Sequence, residues 1–142
     1  MATSNSLFID TSGWVAYVNE GDSRHQEALS LCQAAVTTGR MLVTTNYVTA
    51  ELVALLTARL RISRPQLISI VDLLLAMPQL EVIHVTPELN ASAWDLLRHR
   101  PDKDWSLVDA ASFMVMTTSG MTEALTTDHH FMQAGFTRLL TR

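Results

Sequence analysis

Two aspartates fall where short apolar runs end: Asp10 closes "SLFID" and Asp128 closes "ALTTD". Two further acids stand early in helical runs, Glu51 in "NYVTAEL" and Asp109 in "SLVDAA". Carboxylates gathered in a partly dry cleft repel one another, so their convergence requires raised pKa values or a bound cation. A ligand set of oxygens alone suits Mg²⁺ or Mn²⁺ rather than Zn²⁺. Each acid also has a local explanation. Asp10 and Asp128 can cap helices, Asp109 completes a capping box with Ser106, and Glu51 favours a helix N-terminus. Caps alone do not explain why acids, rather than Ser, Thr or Asn, stand at all four places. His129 and His130 offer imidazole ligands, but adjacent histidines usually point apart, and neither CxxC nor HExxH is present. Asp104, in the loop "RPDKDW", lies beside the same rim as a peripheral candidate.

The elements that must position these acids alternate. "SLFID" reads as a strand, followed by helices through Val18 and over Asp22 to Thr38, with Gly39 as a stop. "MLVTT" is a second strand, after which Asn46 caps a helix from about Tyr47 to Leu60, and Ser63 starts another. "LEVIHV" is a third strand, followed by a helix with Thr86 as cap and Pro87 at its first position. The helix "SLVDAASFMVMTTSG" ends at Gly120, and "EALTT" supplies a further strand. Strands separated by one or two helices predict an α/β fold with a parallel sheet covered on both faces. Ligands of such sheets bind outside the carboxyl ends of the strands, where Asp10 and Asp128 stand.

Composition narrows the function classes. The chain has 142 residues, 48% hydrophobic and 17% charged, which predicts one compact domain over 1–142. "LISIVDLLLAM", the longest apolar run, is broken by Asp72 and is too short to span a bilayer. The start "MATSNSLFID" lacks the pattern of a signal peptide, and Cys32 is the only cysteine; both point to a cytoplasmic protein. A net charge of −4 argues against bulk attraction to nucleic acid, though basic residues bunch in "ARLRISR" and "RHRPDK". No GxGxxG or GxxxxGK[ST] turn and no recognisable nucleophile triad is present.

Taken in order, "FIDTSGW", "TAEL", "WSLVDAASFMVM" and "ALTTDHHFMQAGF" resemble the PIN domain, in particular the small VapC-type ribonuclease toxins, over nearly the whole chain. The resemblance implies a three-layer α/β/α fold with a central parallel sheet of four to five strands. It also implies an acid cluster binding Mg²⁺ or Mn²⁺ for endoribonucleolytic cleavage, and the family's acids fall on Asp10, Glu51, Asp109 and Asp128. Hydroxyl residues often accompany the first and last acids, here Thr11, Ser12 and Thr127. By this resemblance Asp10, Asp109 and Asp128 hold metal while Glu51 orients the attacking water or completes the shell. A toxin reading adds a small antitoxin partner and a homodimer, for either of which an apolar face such as "LISIVDLLLAM" would serve, although most of that surface suits the core. The alternatives are a non-toxin nuclease of RNA processing and a catalytically silent protein-binding module; the presence of all four acids argues against the latter.

Overall fold

The computed structural model describes residues 1–141. In chain order the elements are β1 (Leu7–Ile9), α1 (Thr11–Val18), α2 (His25–Thr37), β2 (Leu42–Thr45), α3 (Asn46–Ala58), α4 (Arg64–Leu75), β3 (Leu80–Ile83), α5 (Pro87–His99), α6 (Leu107–Ser119), β4 (Glu123–Leu125), α7 (His129–Gln133) and β5 (Thr137–Arg138). The strands form one parallel five-stranded sheet in the order β3-β2-β1-β4-β5, flanked by helices as an α/β/α sandwich.

Interior strands of a parallel sheet are covered on both faces and so read as continuous apolar or β-branched runs. β1 and β2 follow this rule, every one of their residues being buried, whereas edge strand β3 is half-buried throughout. The chain begins in the middle of the sheet, builds outward through β2 to β3, and crosses back to lay β4 on the other side of β1. The order therefore reverses between β1 and β4, and ligand crevices of open α/β sheets form at such a reversal. Phe8 pairs with Ala124 and Ile9 with Leu125, and the Asp10 amide continues the ladder to the Leu125 carbonyl at 3.2 Å.

Aromatic packing fixes the helices that leave this rim. Phe113 of α6 meets Phe131 of α7 edge to face at 4.9 Å between centroids, and Trp105 meets Phe113 in the same way at 5.0 Å. Such pairs contribute about 1 kcal/mol beyond the area they bury. Asp109 lies one helical turn before Phe113, and Asp128 three residues before Phe131, so the cluster sets the relative placement of both acids. The "LISIVDLLLAM" helix divides its apolar residues: Leu67 and Leu74 enter the core, while Ile68, Leu73 and Leu75 face outward at 53%, 73% and 50% exposure.

Boundaries differ from the sequence expectation in places with a physical cause. The helix expected over Asp22–Thr38 begins at His25, because Asp22 instead organises a turn through the amides of Arg24 and His25. Thr45, not Asn46, caps α3, its hydroxyl accepting from the Val48 amide at 3.1 Å. Asn46 is freed to accept the Val85 amide at 2.7 Å, which ties the rim end of β2 to the segment after β3. Thr86, Ser106 and Gly120 act as expected: two hydroxyl caps and a left-handed stop at φ 73°.

Candidate active site

Asp10 follows β1 directly and stands at the N-cap position of α1, yet its side chain makes no cap hydrogen bond. One oxygen, Oδ2, accepts from the Thr126 hydroxyl at 3.1 Å, while Oδ1 is buried with no hydrogen-bond partner among the described residues. Capping therefore does not explain Asp10. Burial pushes its carboxyl up to about 7, and the Asp109 and Glu51 charges add to the rise, while the Thr11 amide and Thr126 hydroxyl oppose it.

Asp109 does two things at once. Oδ2 accepts the Ser106 amide at 3.1 Å, completing the capping box that starts α6, and the same oxygen accepts from His130 Nδ1 at 3.0 Å. Burial raises its pKa, Asp128 adds to the rise, and the Ser106 amide and His130 oppose it. Asp128 stands three residues past β4 rather than at its last position, since the strand ends at Leu125. Its Oδ1 caps α7 by accepting the His130 amide at 2.9 Å and lies 3.3 Å from His130 Nδ1. Glu51 sits in the second turn of α3, held by the Thr11 hydroxyl, which donates to Oε1. The four carboxylates are thus linked electrostatically, Asp10 to both Glu51 and Asp109, and Asp109 to Asp128.

Hydroxyls hold the floor of this cleft. Thr126 spends its one proton on Asp10, so the Ser12 hydroxyl 3.0 Å away must donate to Thr126. Thr126 then also accepts the Asp128 amide at 3.0 Å, and Ser12 accepts the Thr127 amide at 2.9 Å. Every hydrogen-bonding atom of the two hydroxyls is used, and the ends of β1 and β4 are locked together. Thr126, not the expected Thr127, is therefore the hydroxyl that bonds an acid. Thr127 takes part through its backbone, its carbonyl accepting from Arg138 Nη1 at 3.1 Å. Asp104 is exposed and makes no hydrogen bond or ion pair among the described residues, so it stands apart from the cluster.

The histidines also depart from expectation. They do not point apart: their rings lie 4.5 Å from each other, and donor atoms of Asp128, His129 and His130 fall within 4.8 Å of one another. His130 faces the acids, while His129 is exposed with Nδ1 3.6 Å from Asp128 Oδ1. The sequence left open that one histidine of the pair faces the cleft, and it is His130; Thr126 was not identifiable from the sequence. The available signal was that each flanks Asp128 within two positions.

The donor chemistry fits a divalent cation. A buried anionic oxygen without a partner is expensive, and Asp10 Oδ1 is one, within electrostatic reach of the Asp109 and Glu51 carboxylates. The starts of α1, α6 and α7 lie beside Asp10, Asp109 and Asp128, and their positive ends favour the anionic state of each. Remaining excess negative charge is what a cation would neutralise.

Comparison with known proteins gives the family. The model of the PIN domain matches residues 7–137. The 23S rRNA-specific endonuclease VapC20 of Mycobacterium tuberculosis, in two strains, is 35% identical over 130 residues, covering 92% of this chain and 95% of that protein. The crystal structure of M. tuberculosis VapC20, described as a sarcin–ricin loop cleaving toxin, matches with a TM-score of 0.77 at 32% identity over 92% of this chain and 96% of that one. A structure of VapBC2 from Rickettsia felis, bound to a DNA fragment from their promoter, matches with a TM-score of 0.63 over 93% of this chain and 96% of that one. At 16% identity it speaks to the fold alone.

Proposed function

The chain belongs to the PIN-domain family, and on that premise we propose that Asp10, Glu51, Asp109 and Asp128 form the catalytic centre of an endoribonuclease toxin that uses Mg²⁺ or Mn²⁺. Endonuclease activity of the toxin type follows from the family and from the 35% identity to VapC20 across almost all of both chains, and divalent-metal dependence is general for these nucleases. The observation that carries the residue assignment is the buried, unpartnered Oδ1 of Asp10 among three other carboxylates.

Asp10, Asp109 and Asp128 would hold the metal. When bound there, a divalent ion lowers the pKa of a water and neutralises charge on the scissile phosphate. The protein's own part is preorganisation. Thr126 holds one Asp10 oxygen and leaves the other without a partner, and Ser106 with His130 fixes Asp109. Glu51, held by Thr11, would orient the attacking water or complete the shell. Thr11 and Ser12 thus act as positioning residues, along with Thr126.

By likeness to VapC20, the substrate is 23S rRNA at or near the sarcin–ricin loop. We read residues 1–142 as one PIN-like unit acting on ribosomal RNA in the cytoplasm, paired with a small antitoxin and with a second copy of itself. The outward leucines of α4 offer an apolar face for such contacts. No described helix is long and apolar enough to cross a membrane. The test is cleavage of purified ribosomes and of a synthetic sarcin–ricin stem-loop by the chain in Mn²⁺ or Mg²⁺. EDTA and Asp10→Asn should each abolish cutting; retained cutting by Asp10→Asn would overturn the assignment.

A further inference from the structure

The cationic side chains are distributed unevenly between paired and unpaired. Arg24, Arg40, Arg98, Arg100 and Lys103 each have a carboxylate oxygen 2.7 to 3.9 Å away, and Arg138 donates to the Thr127 carbonyl. Among the described residues this leaves Arg59 and Arg61, in the turn between α3 and α4, and Arg64, the first residue of α4, all exposed and without an ion-pair or hydrogen-bond partner for the side chain. Asp72 lines a shallow cleft together with Arg64 but is not within ion-pair distance of it. In a chain of net charge −4, three bare guanidinium groups between Arg59 and Arg64 are a local reversal of sign.

The backbone provides an independent observation. Arg61 has φ 53° and is the one non-glycine residue with positive φ among those described. It occupies the end of α3, where the Ile62 amide closes onto the Leu56 carbonyl at 3.1 Å, a place glycine commonly takes. A side chain is strained there, and strain of this kind persists where the side chain serves a function.

We propose that Arg59, Arg61 and Arg64 form a phosphate-gripping surface that holds the RNA strand flanking the cut; this deepens the nuclease reading above and rests on it. α3 links the two sites. Glu51 stands at the acidic cleft, and Arg59 follows eight residues later, about 12 Å along the helix by its rise. Four clustered acids repel a polyanion, and the net charge provides no bulk attraction, so a strand entering the cleft needs unpaired cations elsewhere along its path. Arginine suits the task, since its planar donors match phosphate oxygens and it stays charged at every working pH.

The test uses the full chain with Asp10→Asn, so that RNA stays intact, and reads binding of a fluorescein-labelled oligoribonucleotide by anisotropy over a range of salt. Adding R59Q, R61Q and R64Q together should weaken binding by about tenfold or more and reduce the slope of log K against log salt by about 2. R61G alone should weaken binding while raising the melting temperature, a combination that a purely structural arginine would not give. Unaltered binding and slope would overturn the proposal and leave the arginines to a protein partner. Loss of binding in the triple variant, with no cutting by the metal-loaded wild-type chain, would support the surface while sinking the nuclease reading. Cutting combined with unaltered binding would do the reverse.

Discussion

His130 Nδ1 lies 3.0 Å from Asp109 Oδ2 and 3.3 Å from Asp128 Oδ1, so one imidazole bridges carboxylates that start two different helices. The contact joins α6 to α7 at the rim, above the Phe113–Phe131 pair that joins them in the core. Groups that orient metal ligands in this way typically contribute 10–100-fold in metal affinity or activity. His130→Ala should therefore weaken Mn²⁺ binding by about tenfold or more, measured by calorimetry, with the fold retained by circular dichroism. Wild-type Mn²⁺ affinity in this variant would show that Asp109 and Asp128 keep their places without it.

Asp10 makes a prediction about stability in the absence of metal. Its carboxyl titrates near 7 in the fold against an ordinary value of 3.8, because burial disfavours the charge. Between these values the folded state holds a proton that the unfolded chain has lost. The contribution to stability is therefore neutral below about pH 4, falls as pH rises toward 7 and stays low above it, a penalty on the order of 4 kcal/mol. Asp10→Asn removes the charge. In EDTA it should raise the melting temperature by about 3 °C or more at pH 8 and leave it unchanged near pH 4. An equal gain at both pH values would assign the effect to packing, not to the buried charge.

Metal uptake should depend on pH through the same group. A cation held by Asp10 displaces its proton, so affinity should be flat above about pH 7 and fall roughly tenfold per unit below it. Mn²⁺ titrations from pH 5.5 to 8.5 in non-coordinating buffers test this, and proton release should be measurable at pH 6. A flat affinity profile across the range would place the cation away from Asp10.

The four acids were legible because strand-end carboxylates, helix starts and the reversal of strand order all point to one rim, so each local signal agreed with the topology. The partner hydroxyl was not. In "TTD" the two threonines are chemically equivalent, and a one-residue shift in a strand turns a side chain to the other face. With β4 ending at Leu125, it is Thr126 that turns inward. Which of the two histidines faces the cleft was undecided for a similar reason, since α7 is only 5 residues long and its side-chain directions depend on the Asp128 cap. Asn46 and Thr45 exchanged roles because either can cap a helix, and only the nearby Val85 amide distinguishes them.

Gly13 sets how closely α1 approaches the end of β4. A Cβ built there would drive into the backbone carbonyl of Leu125 and meet Ile9 Cγ2 at 3.2 Å. Neither the carbonyl nor the buried strand can give way without moving Asp10, because the Asp10 amide bonds that same carbonyl. In an exposed helix Gly→Ala would stabilise by about 1 kcal/mol through propensity. Here overpacking should outweigh that gain, leaving Gly13→Ala less stable by about 1–3 kcal/mol. The strain falls on the Ser12–Thr126–Asp10 chain, so RNA cleavage should drop by more than the loss of folded protein accounts for. Exposed Gly21, whose nearest neighbour would be Asn19 Oδ1 at 3.4 Å, is the control: Gly21→Ala should change neither stability nor cleavage appreciably. A Gly13→Ala protein with wild-type melting temperature would mean that α1 can move off β4 freely, and the rigid floor inferred for the acidic cleft would not exist.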